Sequence, residues 1–301
     1  MPKLLKPIKA DPVPDAPEME ASLTVLPEVA KLSLTPEQAF AEFFTKRENR
    51  IVKNLSPDVY FSWKAVNASL LKKNTPKEMA HSVICPTPPT PAMMNGTLIH
   101  SAILTPDIFD TDKWHQEYQI FTKTKTLDSK AALDALAADP RPLITPDMLD
   151  TARRSRDCVW AHKDACRLLL EPGVCEVSAE VWDEEMQCMR KCRIDRLPDN
   201  KEAGIIDIKT TATDLLVHQI RSEIYKYGYG LQFAYYLDTM AMLEGAPRAA
   251  AHIISVTKEA PFMCRVFEIN SPTPDMSLVA KGRDLYQERL AAFVLSWYEK
   301  K

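Results

Sequence analysis

From Val174 onward the apolar positions of this chain change period. Upstream they recur at three- and four-residue spacing, as amphipathic helices require; downstream they alternate with polar residues, as half-buried strands require. Residues 175–182 read as a strand, Asp183-Glu184-Glu185 as a turn, 188–197 as a second strand and 204–210 as a third. A helix is expected over 214–243, bent at Gly228-Tyr229-Gly230 and stopped by Gly245. Strands over 250–257 and 263–269 and a helix over 275–298 complete the series. Upstream, one helix start recurs at Thr35-Pro36, Thr75-Pro76, Thr90-Pro91 and Thr145-Pro146, with a capping threonine and proline at the first helical position. These predict helices over 35–47, after Thr75, across Gly96–His100, and over 145–170. Helices, three strands, a helix, two strands and a helix make an α/β sheet with helices on its faces. Residues 1–34 are rich in Pro, Glu, Ala and Lys without periodicity and read as a flexible tail, leaving 35–301 as the folded domain.

The strands carry the chemistry. In Ile205-Ile206-Asp207-Ile208-Lys209-Thr210-Thr211, Asp207 and Lys209 share one face while Ile206 and Ile208 fill the other. A carboxylate and an ammonium side by side on a buried strand are costly unless something needs them; a metal and a phosphate would need both. With the turn centred near Glu185, paired residue numbers should total about 371, placing Glu176 opposite Asp195. Glu176, Asp195 and Asp207 can then converge, and carboxylate oxygens are what Mg²⁺ or Mn²⁺ takes as ligands. Glu176 and Glu180 read equally well as a solvated strand face. His100 alone reads as a packed core residue, in a Gly-Thr-Leu-Ile-His segment where Gly96 lets the helix approach a neighbour.

The 301 residues are 46% hydrophobic, enough for a full core, with net charge −3 and pI about 6.1. No global basic signal marks a polyanion partner, so one must be met locally. Arg153, Arg154, Arg156 and Lys163, with Lys123, Lys125 and Lys130, could supply that patch or form an ordinary solvated face. Seven glycines without a GxxxxGK loop exclude a nucleotide-cradling site. Seven scattered cysteines without CxxC read as reduced thiols of a cytosolic protein. No apolar run approaches the ~18 residues of a membrane span.

Five motifs stand in order: Gly96-Thr-Leu-Ile-His100, Glu176-Val-Ser178, Arg193-Ile-Asp195-Arg196, Asp207-Ile-Lys209-Thr-Thr and Gln232-Phe-Ala-Tyr-Tyr236. Together they resemble the RecE-type (exodeoxyribonuclease VIII) branch of the PD-(D/E)xK nucleases over about residues 55–300. The resemblance implies a restriction-endonuclease-like core, a central mixed β-sheet flanked by helices. It implies an exonuclease that degrades linear double-stranded DNA 5′ to 3′ and leaves 3′ tails for recombination. His100, Asp195, Asp207, the Ile208 carbonyl and Glu176 would hold Mg²⁺, with Mn²⁺ able to substitute. Lys209 would orient the attacking water, and Gln232 and Tyr236, on one helix face, would position the nucleotide beside the cleaved bond. A ring-shaped homo-oligomer, a single-strand annealing partner and a phage or prophage origin in a bacterial cytoplasm follow from the same likeness. Some RecB-like relatives carry an iron–sulfur cluster on a late group of cysteines; no cysteine follows Cys264 here, so none is expected. The alternatives are a single-strand or structure-specific nuclease of the same superfamily, or a DNA-binding scaffold that keeps the fold without the chemistry.

Overall fold

A computed structural model describes residues 40–87, 90–106, 116–124, 127, 129–269 and 278–299. The expected tail over 1–34, the Thr35-Pro36 helix start and Lys125 lie outside them. Six strands form one mixed sheet in the order β1-β4-β5-β6-β7-β8: Arg50–Val52, Gly173–Asp183, Cys188–Pro198, Ile205–Thr211, Ala251–Thr257 and Cys264–Glu268. The β6–β7 pair is parallel and its neighbours are antiparallel. A separate parallel pair joins β2 (Gln119–Ile120) to β3 (Leu143–Ile144). The short strand β1 and the pair β2–β3 are too brief to leave a periodic signature, and the sequence reading contains none of them.

Helices cover both faces. On one, Val177, Ala179, Cys192, Ile194, Ile205 and Ile253 pack with α9 (Tyr229–Glu244) and α10 (Leu278–Tyr298). On the other, Ile206, Ile208, Ile254 and Val256 pack with α4 (Pro91–Leu104), α6 (Pro146–Ala161) and α7 (Lys163–Leu170). The other helices lying wholly within the described residues are α1 (Pro57–Ser62), α2 (Ala68–Leu71), α3 (Pro76–Ile84), α5 (Lys130–Ala138) and α8 (Val217–Lys226). Alternating isoleucines on β6 and β7 thus feed two cores, the arrangement a central strand needs.

The threonine starts act as caps. Thr75, Thr90 and Thr145 side chains accept the N–H of Glu78, Met93 and Met148. Two expected long helices are each broken in two. The 145–170 helix stops at His162, whose extended backbone ends α6 and whose ring caps α7 at Ala165 N–H. The 214–243 helix breaks at Gly228, which takes a left-handed conformation (φ 61°) that a side chain would disfavour. At the N-terminal end, Phe40 and Ala41 are helical and run into a 3₁₀ turn, Glu42–Phe44, so the chain leaves the helix before the expected residue 47. Its Phe44 stacks on Trp297 of α10 at 5.1 Å. Helices α9 and α10 cross at Gly230 and Gly282, where a Cβ on Gly282 would come within 2.2 Å of the Gly230 backbone. This close crossing seats α9, and with it Gln232, against the sheet.

The β4–β5 hairpin keeps the 371 register along its length. Asp183 explains why: its Oδ1 accepts the N–H groups of Glu185 and Met186, fixing the turn, while its Oδ2 takes Arg190 in a buried ion pair at 3.2 Å. The side-chain alternation, however, slips at Glu176 and Asp195. Val174 joins the same core as Val177, and Leu197 the same core as Ile194, which a strict two-residue period forbids. Glu176 sits at the slip with φ 53°.

Candidate active site

Strands β5 and β6 pair at Arg196↔Ile206 and then part. Continuing that antiparallel register sets Asp195 across from Asp207. In the gap the Asp195 Oδ2 accepts the Ile208 main-chain N–H at 2.8 Å, replacing the strand partner that β5 no longer offers. Helix α4, on one face of the sheet, brings His100, whose Nδ1 lies 3.3 Å from Asp195 Oδ2. Helix α9, on the other face, brings Gln232, whose Nε2 donates to Asp207 Oδ1 at 3.0 Å. Elements from both layers therefore meet where the sheet opens.

Asp207 also pairs with Lys209 through Oδ2. That buried oxygen has no well-aligned hydrogen bond, so the ion pair alone occupies it. Burial, then the Asp207 charge, pushes the Asp195 carboxyl well above the ordinary range, against Lys209 and the Ile208 N–H. Burial pulls the Lys209 ammonium down, but Asp207, Asp195 and Tyr229 outweigh it, and it ends above its ordinary value. Burial, then repulsion from Lys209, lowers the His100 imidazole, so it is neutral at pH 7, the form that ligates metals. Tyr236, one turn beyond Gln232, is held protonated by burial and by neighbours that include Tyr60, Asp207 and Asp195.

Glu176 lies near enough for its charge to help raise the Asp195 carboxyl, while its own carboxylate is bonded to Arg193. The register places it opposite Asp195, but its Oε2 accepts from Arg193 Nε at 2.6 Å. Glu180 is fully buried between Arg47 and Arg50 rather than solvated. Among the described residues, no three His, Cys, Asp or Glu side chains close on one point. Gly96 is not needed for clearance, since a Cβ there would meet Thr210 Oγ1 at an ordinary 3.5 Å. The expected basic face is partly neutralised, with Arg154 paired to Asp150 and Arg156 to Asp157.

Two residues escaped the sequence reading. Lys72, which caps the four-residue α2, donates from Nζ to Gln232 Oε1 at 2.8 Å; burial, then Lys209, brings its ammonium down to about 8. Tyr229 lies beneath both site lysines, its ring centroid 4.9 Å from Lys209 Nζ and 5.4 Å from Lys72 Nζ. A lone lysine closing one turn of helix carries no periodic signal. The Lys-Tyr-Gly-Tyr-Gly run around Tyr229 was visible, but only as a helix bend.

A family model described as a PDDEXK-like domain of unknown function (DUF3799) matches residues 69–294. No curated protein matches the chain. A crystal structure from Eubacterium rectale, described as that of a candidate exonuclease, superposes with a TM-score of 0.53 at 14% identity, covering 81% of this chain and 88% of that one. PD-(D/E)xK nucleases generally use divalent metals. With Asp195 across from Asp207 and Lys209 two residues further along the strand, and a family model spanning most of the fold, the chain belongs to the PDDEXK-like domain family.

Proposed function

We propose that the chain is a divalent-metal-dependent exonuclease of RecE type, acting on linear double-stranded DNA 5′ to 3′ to leave 3′ single-stranded tails. The observation that carries this reading is the closeness of Asp195 to Asp207 in the sheet gap. Two carboxylates lie close there with one lysine paired to Asp207, and burial, then the Asp207 charge, raises the Asp195 carboxyl well above its ordinary range. A cation relieves such crowding, and the buried Asp207 Oδ2 has room in its hydrogen-bonding for one. Mg²⁺ fits a site of one or two carboxylates because it keeps several of its waters, so a closed cage of protein ligands is not required.

Asp195, Asp207, neutral His100 and the Ile208 carbonyl would hold that cation, which when bound supplies positive charge at the scissile phosphate. Lys209 orients the attacking water and offsets the charge that develops on the phosphate. Gln232 is fixed between Lys72 and Asp207, so its amide holds the Asp207 carboxylate in place. Tyr236 stays protonated and can donate to a phosphate oxygen. Residues 35–301 would form the nuclease domain and 1–34 a tether. A closed ring of identical chains would let a protein of net charge −3 surround DNA, and a single-strand annealing protein would receive the 3′ tail.

The test is cleavage of end-labelled linear duplex with Mg²⁺ or Mn²⁺, compared with a covalently closed circle. Loss of the 5′ end from the linear form, an untouched circle, and no cleavage in EDTA are the expected results. Undiminished cleavage in EDTA would overturn the metal reading, and equal cleavage of the circle would overturn the exonuclease reading.

A further inference from the structure

The stretch Tyr225-Lys226-Tyr227-Gly228-Tyr229-Gly230 alternates aromatic residues with lysine and glycine at the break between α8 and α9. The proposed mechanism uses none of it. Gly228 turns the chain so that Tyr229 opens α9 three residues before Gln232. The rings then form a continuous series. Tyr229 lies beneath the ammonium groups of Lys209 and Lys72. Tyr227 stacks on Tyr229, with centroids 5.8 Å apart and planes 29° apart. Lys226 Nζ lies 5.1 Å from the Tyr227 ring.

The outer end of this series is open. Tyr227 is 45% exposed and Tyr225 60% exposed. A single exposed tyrosine is ordinary on any surface. A stacked pair flanked by lysines at each end, one of them Lys209, is a different feature. Nucleobases stack on aromatic faces of any sequence context, and ammonium groups beside the rings meet the phosphates between them. The interior bases of an intact duplex stack on one another and offer no free face, so a strand whose successive bases lie along the rings is unpaired.

We propose that Tyr227 and Tyr229, rimmed by Lys226 and Lys72, form a ledge on which unpaired bases flanking the scissile phosphate stack. The ligand class is single-stranded DNA, as a frayed end entering the site or the tail leaving it. This subsite rests on the nuclease reading, but its binding can be measured without cleavage. Lys226 takes a backbone phosphate and Tyr227 a base face, so the ledge favours single strands without reading sequence.

The experiment measures binding of full-length protein in EDTA. The probes are a fluorescein-labelled thymidine oligonucleotide, the same oligonucleotide with one 2-aminopurine, and a blunt duplex. Tyr227→Ala should weaken single-strand binding about tenfold, the scale of losing one base–aromatic stack, and abolish the quenching of 2-aminopurine. Tyr227→Phe keeps the ring and should retain both signals, and duplex affinity should stay within about twofold for both variants. Wild-type affinity and quenching in Tyr227→Ala would overturn the ledge, as would a Tyr227→Phe variant that fails like Tyr227→Ala. A wild-type protein that cleaves duplex while Tyr227→Ala binds normally would sink the ledge and leave the nuclease reading standing. A protein that cleaves nothing but quenches 2-aminopurine through Tyr227 would do the reverse.

Discussion

Asp195 stands in for a strand: its Oδ2 accepts the Ile208 N–H at 2.8 Å where β5 has parted from β6. One side chain thereby closes a gap in the ladder and turns a negative charge toward Asp207. These two tasks separate by substitution. Asp195→Asn keeps an acceptor for Ile208 and removes the charge, so it should retain or raise thermal stability in metal-free buffer while abolishing cleavage. Asp195→Ala leaves a buried N–H unpaired and should cost about 1–3 kcal/mol of stability in addition. Equal melting temperatures for the two variants would show that the hydrogen bond to Ile208 does not matter to the fold.

Glu176 offers a sharper distinction. Its carboxylate is bonded to Arg193, and its backbone sits at φ 53°, a region that disfavours side chains. Glu176→Gly should relieve the backbone by about 1 kcal/mol and lose the ion pair, leaving stability nearly level. Titrations of activity against Mg²⁺ should overlay for Glu176→Gln and the unmodified protein. A shift of the Glu176→Gln titration to higher Mg²⁺, with recovery at saturation, would place Glu176 among the ligands.

Lys72 holds Gln232, and Gln232 holds Asp207. Removing the first link by Lys72→Met should lower the cleavage rate about tenfold, the scale of one hydrogen bond to a charged group. Global stability should change little, because Lys72 lies at the end of a single helical turn. A cleavage rate equal to that of the unmodified protein would show that Gln232 needs no second anchor.

Lys191 carries a pH signature away from the site. Its Nζ donates to the Tyr60 and Trp63 carbonyls at 2.9 and 2.6 Å, and burial, opposed by Glu180, brings it from the ordinary 10.5 to about 8. The folded value is the lower one, so between pH 8 and 10.5 the unfolded chain holds a proton that the folded chain lacks. Stability from this group is therefore present above 10.5 and lost as pH falls through 8. The neutral amine still has two N–H donors for the two carbonyls. The stability of the unmodified protein relative to Lys191→Met, measured by urea denaturation, should rise from pH 7.5 to 10. A constant difference would show that Lys191 is charged in the folded state throughout.

Legibility in the sequence followed period and length. The register of the β4–β5 hairpin was readable, because Asp183 fixes the turn, although the side-chain alternation slips at Glu176 and Asp195. The Asp207–Lys209 pair was readable because charged residues interrupt an isoleucine run. What the sequence hid was local: Gly228 and His162 each divide one apolar pattern into two helices, since a 3.6-residue period continues across a break that only the backbone records. Glu176 stands opposite Asp195 as the register predicts, but its carboxylate bonds Arg193, at a left-handed residue where the side-chain alternation slips. Lys72 reaches Gln232 from 160 residues away and leaves no local trace.

The central claim is that Lys209, paired with Asp207 in the sheet gap, drives phosphodiester cleavage rather than stabilising the strand. Single-turnover digestion of end-labelled linear duplex in Mg²⁺, by the unmodified protein and by Lys209→Ala, measures this most directly. Lys209→Ala should slow cleavage on the order of a hundredfold or more, as removal of one preorganised charge stabiliser does. Its duplex affinity should be nearly unchanged, because many phosphate contacts share that work. A Lys209→Ala variant that digests linear duplex at the original rate would contradict the active-site assignment as a whole.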